Sequence, residues 1–187
     1  MDTQVTELIG RNWLVNDLLR AGLEVATPVR DRGIDLIAYL DLETRLEGDA
    51  DSSAGFAARP IQMKAITGQR FTIDAKYAKF PDLLLVHIWH IENPAHTVAY
   101  GLTYPEMHAL AEAKGWTATQ TWKQHGFYNM SSPSKDLVIS LQPYVMSPER
   151  WRQLVRGASP LRALGRVAEA EDAERHANEV AQLNGGQ

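Results

Sequence analysis

Cysteine is absent from the chain, so the fold cannot depend on disulfide bonds and no metal can be held by thiolates. Long apolar runs are also missing, since none approaches the roughly 18 residues of a membrane-spanning helix. The N-terminal segment has an early acidic residue and no apolar stretch of signal-peptide length. From these absences we expect a soluble, cytoplasmic protein that does not associate with membranes.

An excess of basic residues is lacking too, because 23 acidic residues against 19 Lys and Arg give a formal net charge of -4. This balance argues against a protein that coats nucleic acid through a broad basic surface, although a local patch could still contact phosphates. Walker, GxGxxG and GxSxG motifs do not occur. P-loop nucleotide hydrolysis, dinucleotide binding and serine hydrolysis therefore have no support.

The residues that are present are typical of a globular α/β protein, with 187 residues of which 44% are hydrophobic and 22% are charged. This length fits one domain with a short appendage. We place the domain at residues 1–150 and a C-terminal helical extension at residues 151–187. The extension begins within the capped-helix pattern that Ser147 and Pro148 open, and it continues as a tail rich in Ala, Glu and Arg.

Hydrophobic periodicity predicts a first helix over residues 4–21 and a run of strands after it. The apolar side of that helix is assigned to Val5, Leu8, Val15, Leu18 and Leu19. Predicted strands cover residues 23–27, 34–40, 59–66, 70–74, 83–89 and 97–102. The strand over 34–40 is nearly all apolar and is expected to be central, and residues 41–57 form a mobile hairpin connection. A helix is predicted over 104–114 and an irregular segment over 116–135.

The strand that contains Ile61-Gln62-Met63-Lys64 carries the sharpest chemical signal. Alternation along a strand puts Gln62 and Lys64 on one face and the apolar residues on the other. A lysine within an apolar strand is costly to bury without a charged partner. Asp35, near the start of the preceding strand, is the expected partner, because adjacent antiparallel strands would bring its carboxylate close to both residues.

A carboxylate, an amide and an ammonium that converge in this way could hold a hard divalent cation and orient a water against a phosphodiester. Glu7 extends the set, because it borders the predicted apolar face of the first helix and is expected to point inward. The alternative for Asp35 and Lys64 is a buried ion pair that fixes strand register.

These residues resemble the PD-(D/E)XK, or restriction-endonuclease-like, nuclease superfamily. The resemblance is carried by Glu7 in a first helix, by residues 32–35 (RGID) and by residues 61–64 (IQMK), and it covers roughly residues 4–115. Gln62 stands where most members have an acid, which is similar to the branch of Mrr-type restriction enzymes. Residues 80–89 and the helix that starts at Tyr104 are similar to the segments that come after the catalytic strand in bacterial members.

The resemblance implies a central mixed β-sheet flanked by helices, with extra C-terminal helices. It implies that Asp35 is the principal ligand of Mg²⁺ or Mn²⁺, that Glu7 is an auxiliary ligand and that Gln62 offers its amide oxygen. Lys64 would polarise the attacking water or stabilise charge on the phosphate. Because Gln62 replaces the usual acid, the site has one negative charge fewer than in most members. A homodimer acting on DNA is expected by analogy with the superfamily.

Several other residues are candidates for supporting roles. Arg32, Lys76 and Lys79, with Arg30, Arg70 and Lys123, could surround the site and hold phosphates, or they could be solvated surface. His87 is interpreted as a residue of the core or of a sheet face, because no histidine has metal-ligand spacing. The aromatic residues Trp116, Trp122 and Tyr128 are interpreted as caps of the core rather than as platforms for bases.

The sequence thus favours a Mg²⁺- or Mn²⁺-dependent nuclease that hydrolyses DNA phosphodiester bonds through Asp35, Gln62, Lys64 and Glu7. A second hypothesis is a catalytically inactive module that keeps the fold and binds nucleic acid or a protein. The third is an interaction protein of a mobile or defence-related system, whose C-terminal helices recruit a partner.

Overall fold

The fold is a mixed α/β arrangement in the computed structural model, which describes residues 2–30, 33–40 and 57–157. The helices are α1 (Thr3–Arg20), α2 (Tyr104–Ala113), α3 (Gln120–His125), α4 (Lys135–Leu141) and α5 (Pro148–Arg156). The strands are β1 (Glu24–Ala26), β2 (Leu36–Tyr39), β3 (Ala58–Ala65), β4 (Phe71–Asp74), β5 (Leu84–Trp89), β6 (Val98–Thr103) and β7 (Phe127–Met130). Short 3₁₀ helices lie at Ala75–Lys79, Trp116–Ala118 and Gln142–Tyr144. None of these described helices is long and apolar enough to cross a membrane.

Five strands form the main sheet in the order β1-β2-β3-β5-β6. Strands β1, β2 and β3 follow one another antiparallel, β5 runs parallel to β3, and β6 returns antiparallel beside β5. The prediction of a mixed sheet flanked by helices is confirmed. The strand predicted to be central, β2, lies one place from the middle, and β3 occupies the centre. A parallel pair needs a crossover connection, and residues 66–83 supply it between β3 and β5.

Each face of the sheet is covered by its own hydrophobic cluster, because side chains alternate along the strands. On one face, α1 and α5 pack over Ile61, Met63 and Val86. On the other face, α2, α4 and a second sheet of β4 and β7 pack over Leu85 and Trp89. Gln62 and Lys64 alternate with Ile61 and Met63 along β3 and therefore belong to this second face, whereas Glu7 lies on α1.

Helix α1 buries a side that overlaps the predicted one only in part: Leu18 is buried and Val15 packs against the first cluster, as predicted. Its buried residues are Thr6, Gly10, Leu14 and Leu18, whereas Val5, Leu8 and Leu19 are 44%, 58% and 48% exposed. The helix carries two apolar stripes, and close approach to β3 selects between them. A Cβ atom on Gly10 would lie 2.2 Å from the Cβ atom of Ala65, so only the glycine side can pack this closely.

Residues 116–135 are more regular than predicted, since they contain a 3₁₀ turn, α3 and β7. Strand β7 pairs antiparallel with β4, with Phe127 opposite Asp74 and Met130 opposite Phe71. The interpretation of the aromatic residues as core caps is confirmed. Trp116 is buried and stacks on Tyr128 with ring centroids 4.9 Å apart, and Trp122 packs against the same cluster.

Helix α5 joins the first cluster through two buried residues, Trp151 and Val155. The indole of Trp151 donates from Nε1 to Asp17 Oδ2 of α1 at 2.6 Å. The predicted helical tail beyond residue 157 and the predicted hairpin connection at 41–56 lie outside the described residues.

Candidate functional site

Asp35 lies just before β2 and is held by hydrogen bonds to the neighbouring strand β3. Its backbone N–H donates to the carbonyl of Ile61 at 2.8 Å. Its carboxylate Oδ2 accepts two hydrogen bonds of 2.6 Å, from Gln62 Nε2 and from the backbone N–H of Met63. Asp35 is buried, and the predicted convergence of Asp35 with Gln62 across antiparallel strands is confirmed.

Gly33, two residues before Asp35, forms the turn that leads the chain into β2. Gly33 has a φ of +92°, a left-handed conformation that side chains other than glycine rarely adopt. A Cβ at Gly33 would also lie 3.7 Å from Oε1 of Gln62. The glycine is therefore needed for the turn, whereas a Cβ here would make only an ordinary van der Waals contact with the Gln62 amide oxygen.

Gln62 and Lys64 share a face of β3, as the alternation predicts, but they differ in exposure. Gln62 is buried, whereas Lys64 is exposed and lines a cleft. Among the described residues, no carboxylate lies within ion-pair distance of Lys64. The alternative of a buried ion pair with Asp35 is thus not observed, and the Lys64 ammonium is available to a ligand.

His87 is the neighbour of Lys64 on the parallel strand β5. Its imidazole is 3% exposed and stacks on Phe71 at a centroid distance of 4.7 Å. Burial, together with the positive charge of Lys64, lowers the pKa of His87 to about 4. The interpretation as a sheet-face core residue is confirmed. Its position beside the cleft was not predicted, because a parallel pairing cannot be deduced from alternation alone.

The cleft has a volume of about 1240 Å³ and gathers these residues on its floor. Asp35, Gln62, Lys64 and His87 all line it. Its walls come from the outward faces of β4 and β7, the 3₁₀ helix Ala75–Lys79 with the Phe80–Leu83 segment, and the first turns of α1. The second sheet, which the sequence did not predict, is therefore part of the candidate site.

Glu7 reaches the cleft from α1, but it does not point into the core as expected. Its side chain is 52% exposed and forms an ion pair with Arg11 one helical turn later, at 3.1 Å. Glu7 lies seven residues before the buried Leu14 and so shares its side of α1, but this first part of the helix lines the cleft, which leaves the carboxylate at the rim.

The charged groups around the cleft divide into paired and unpaired ones. Three rim carboxylates have cationic partners: Glu7 with Arg11 at 3.1 Å, Asp74 with Lys76 at 3.0 Å and Asp82 with Arg59 at 3.8 Å. Three cations that line the cleft have no carboxylate partner among the described residues: Lys64, Arg70 and Lys79. The cleft therefore offers unneutralised positive charge despite the negative net charge of the chain.

The predicted phosphate contacts are only partly placed by this arrangement. Lys79 lines the cleft with an unpaired ammonium, whereas Lys76 lines it but is held by Asp74. Arg32 lies outside the described residues. Arg30 and Lys123 are exposed and are not among the residues that line the cleft.

Tyr77 is a cleft residue that the sequence did not single out. Burial is the main cause that raises the pKa of its phenol, and the positive charge of Lys76 opposes the increase. Tyr77 lines the cleft, where its phenol also interacts with the Lys76 side chain. Its position depends on the 3₁₀ helix after β4, and no periodic pattern in the sequence predicts that helix.

The donors present fit a hard divalent cation that keeps much of its water. Within the described residues, no group of three or more His, Asp or Glu could hold a metal by itself. The candidate ligands are the Asp35 carboxylate, the Gln62 amide oxygen and, at the rim, the Glu7 carboxylate that is paired with Arg11. Mg²⁺ is bound in this manner, through one or two carboxylates supplemented by water and substrate phosphate.

Comparison with protein-family models, with curated proteins and with solved structures finds no match to this chain.

Proposed function

We propose that this protein is a Mg²⁺- or Mn²⁺-dependent nuclease of the restriction-endonuclease-like, PD-(D/E)XK type, in its glutamine variant, that hydrolyses DNA phosphodiester bonds. One observation carries the proposal. A buried carboxylate, Asp35, and a buried amide, Gln62, are hydrogen-bonded on the floor of a cleft that an unpaired lysine, Lys64, also lines. The mixed sheet flanked by helices agrees with such a core.

Asp35 and the Oε1 atom of Gln62 would hold the metal, and Glu7 would complete its ligands from the rim. The hydrogen bond from Gln62 Nε2 to Asp35 Oδ2 fixes the two side chains relative to each other and does not use the amide oxygen. When bound, the metal supplies Lewis acidity and lowers the pKa of a coordinated water. Lys64 places a positive charge where negative charge develops on the phosphate in the transition state.

Binding of the substrate backbone follows from the unpaired cations. Arg70 and Lys79 line the same cleft as Lys64, so phosphates on either side of the scissile bond would meet positive charge. The acidic net charge of the whole chain does not oppose this, because the rim carboxylates are already paired with cations.

A specific observation favours the alternative, an inactive module that binds nucleic acid without cleaving it. The Oδ2 atom of Asp35 already accepts two short hydrogen bonds, and Gln62 contributes no charge. The metal would therefore meet one buried carboxylate instead of two. In this alternative, the unpaired cations would bind DNA and the floor would be structural.

The test is cleavage of plasmid, branched and single-stranded DNA in Mn²⁺ by purified wild-type protein and by Asp35→Asn and Lys64→Ala variants. Lys123→Ala is the matched control, since Lys123 is an exposed lysine away from the cleft. We expect both cleft variants to lose at least about 100-fold in rate, as for the loss of one transition-state contact. The control should cleave as the wild type does.

Each contrary result has a definite meaning. Equal cleavage by wild type and both cleft variants would identify a contaminating nuclease and reject the assignment. Absence of cleavage by the wild type, together with DNA binding and no heat of Mn²⁺ binding by calorimetry, would establish the inactive module instead. Circular dichroism of each variant separates loss of activity from loss of fold.

A further inference from the structure

Two exposed phenylalanine rings lie at the mouth of the cleft. Phe80 is 50% exposed and Phe127 is 36% exposed, and both line the cleft whose floor carries Asp35 and Lys64. Among the described residues, neither ring contacts another aromatic ring. Two large apolar side chains that are exposed in the same charged cleft form a candidate contact surface for a ligand.

The position of Phe127 is set by the pairing of β7 with β4. Tyr128 and Met130 point from β7 into the second hydrophobic cluster, so alternation directs Phe127 and Asn129 to the opposite, cleft-facing side. Phe80 comes from a different element, since it directly follows the 3₁₀ helix Ala75–Lys79. Two separate elements thus each bring one aromatic ring to the same opening.

An unpaired cation lies beside one of these rings, and a second lines the same cleft. The ammonium of Lys79 is 5.2 Å from the centroid of the Phe80 ring. Arg70 lines the same cleft and, like Lys79, has no carboxylate partner among the described residues. A cleft lined by both aromatic rings and cations matches the bases and phosphates of a nucleic-acid strand.

A polar group for base edges is present on the same wall. The Asn129 amide oxygen accepts a hydrogen bond from Thr72 Oγ1 at 2.9 Å, which fixes the side chain across the β4–β7 pair. Its Nδ2 donates to no group within the described part of the chain. That amide is therefore oriented and able to donate to a base acceptor.

We propose that this cleft binds single-stranded DNA, with unstacked bases on Phe80 and Phe127 and the backbone phosphates on Lys79 and Arg70. In a duplex, the faces of the bases are covered by their neighbours, so the two rings could stack only on unpaired bases. The inference rests on the proposed function, because it defines the substrate of the same cleft as single-stranded or locally unpaired DNA.

The test measures binding without cleavage, by fluorescence anisotropy of a labelled oligothymidine and of a duplex of equal length, in EDTA. The wild type should bind the single strand more tightly. Phe80→Ala and Phe127→Ala should each weaken that binding by about 5- to 150-fold, the range for loss of one base–aromatic stack. Phe80→Trp keeps an aromatic ring and should bind the single strand about as tightly as the wild type. Ile139→Ala alters a 69% exposed apolar residue outside the cleft lining and should have no effect.

The phosphate part of the inference has its own measurement. Lys79→Ala should reduce the slope of log affinity against log salt by about 0.7, the value for one phosphate contact on a single strand. Tighter binding of the duplex than of the single strand, or unchanged affinity in both Phe→Ala variants, would overturn the inference.

Failure of this inference can be told apart from failure of the nuclease assignment. Asp35→Asn should bind the single strand at least as well as the wild type, because Asp35 contributes a negative charge to the floor. If the Phe variants lose binding while the wild type itself does not cleave DNA, the binding cleft is supported and the nuclease assignment is rejected. If cleavage of duplex DNA depends on Asp35 but the Phe variants change neither binding nor cleavage, the nuclease assignment is supported and the single-strand preference is rejected.

Discussion

At the scale of single residues, His87 has a measurable effect on stability. Its folded pKa of about 4 is below the ordinary value of 6.5, because the buried ring must stay neutral beside Lys64. Between these values the unfolded chain binds the proton and the folded chain does not, so the free energy of unfolding falls as pH is lowered from about 6.5 to about 4. The loss attributable to His87 is about 3 kcal/mol.

The measurement is urea denaturation at several pH values for wild type and His87→Gln. Carboxylates also titrate in this range, so the difference between the two proteins isolates the imidazole. We expect the difference in the free energy of unfolding between wild type and His87→Gln to change by about 3 kcal/mol from about pH 7 to about pH 4. His125→Gln, an exposed histidine on α3, is the control and should parallel the wild type. Parallel curves for His87→Gln would mean that the ring is solvated.

Gln62 allows a test of the metal that does not depend on activity. Glutamate at this position would place a second carboxylate against Asp35 Oδ2, where the amide now donates at 2.6 Å. Without metal, Gln62→Glu should lose about 1–3 kcal/mol, because a buried hydrogen bond is replaced by a repulsive pair. With Mn²⁺ the variant should regain about 2.7 kcal/mol at about 100 times its Kd.

Thermal unfolding with and without Mn²⁺ measures the stability that Gln62→Glu loses without metal and regains with it. The upward shift of the Tm should be larger in Gln62→Glu than in the wild type, since two carboxylates hold a divalent cation better than one. Gln124→Glu adds the same charge at an exposed site on α3 and should not change the response. If Mn²⁺ shifts neither the wild type nor Gln62→Glu, the floor of the cleft is not a metal site.

The contact between Asp35 and Gln62 could be predicted because both of its causes are local. Alternation sets the face of each strand, and a short antiparallel pair sets their proximity. The bond from the Met63 backbone N–H to Asp35 requires the register of the pair, which the sequence does not contain. The proximity of His87 to Lys64 depends on a crossover of residues 66–83, so no local pattern could indicate it.

At the scale of elements, α1 shows why an apolar stripe alone does not identify the core face. The sheet packs against the side that contains Gly10, where the helix comes close to Ala65 of β3. We expect Gly10→Ala to cost about 1–3 kcal/mol from overpacking, although alanine favours the helix by up to about 1 kcal/mol. Equilibrium denaturation of the variant measures this cost.

Two companion variants make that prediction specific to the contact. Gly68→Ala is the matched control, because a Cβ there would meet nothing within 4 Å. Ala65→Gly in the Gly10→Ala background removes the opposing Cβ and should recover part of the lost stability. If Gly10→Ala is as stable as the wild type, α1 can shift outward and the close approach is not required.

Strand β7 illustrates the opposite difficulty, an element with no periodic signal of its own. Four residues suffice because β4 supplies the pairing, and Phe127 is exposed at the cleft instead of being buried in the core. A short strand whose partner lies far away in the sequence is stabilised by tertiary contacts, which override weak local preference. The wall of the candidate site therefore could not be predicted, whereas its floor could.

At the scale of the whole molecule, the sequence-based boundary at residue 150 falls inside α5. That helix is packed on the first hydrophobic cluster through Trp151 and Val155. The guanidinium of Arg59, buried in β3, donates to the Leu154 carbonyl of α5 at 2.7 Å and 3.0 Å and to the Asp82 carbonyl at 2.9 Å. The described fold therefore continues to the end of α5.

A chain that ends at Met146 should consequently lose cooperative folding. Removal of a buried tryptophan alone costs about 3–5 kcal/mol, and Arg59 would also lose its two hydrogen bonds to the Leu154 carbonyl, each about 1.5–3 kcal/mol for a charged donor. Together these losses approach the total stability of about 5–15 kcal/mol expected for a domain. The control is a chain that ends at Gly157, which keeps every described contact of α5 and should melt in one sharp transition by circular dichroism. Equal Tm values for the two chains would show that α5 is an appendage and that Arg59 finds other acceptors.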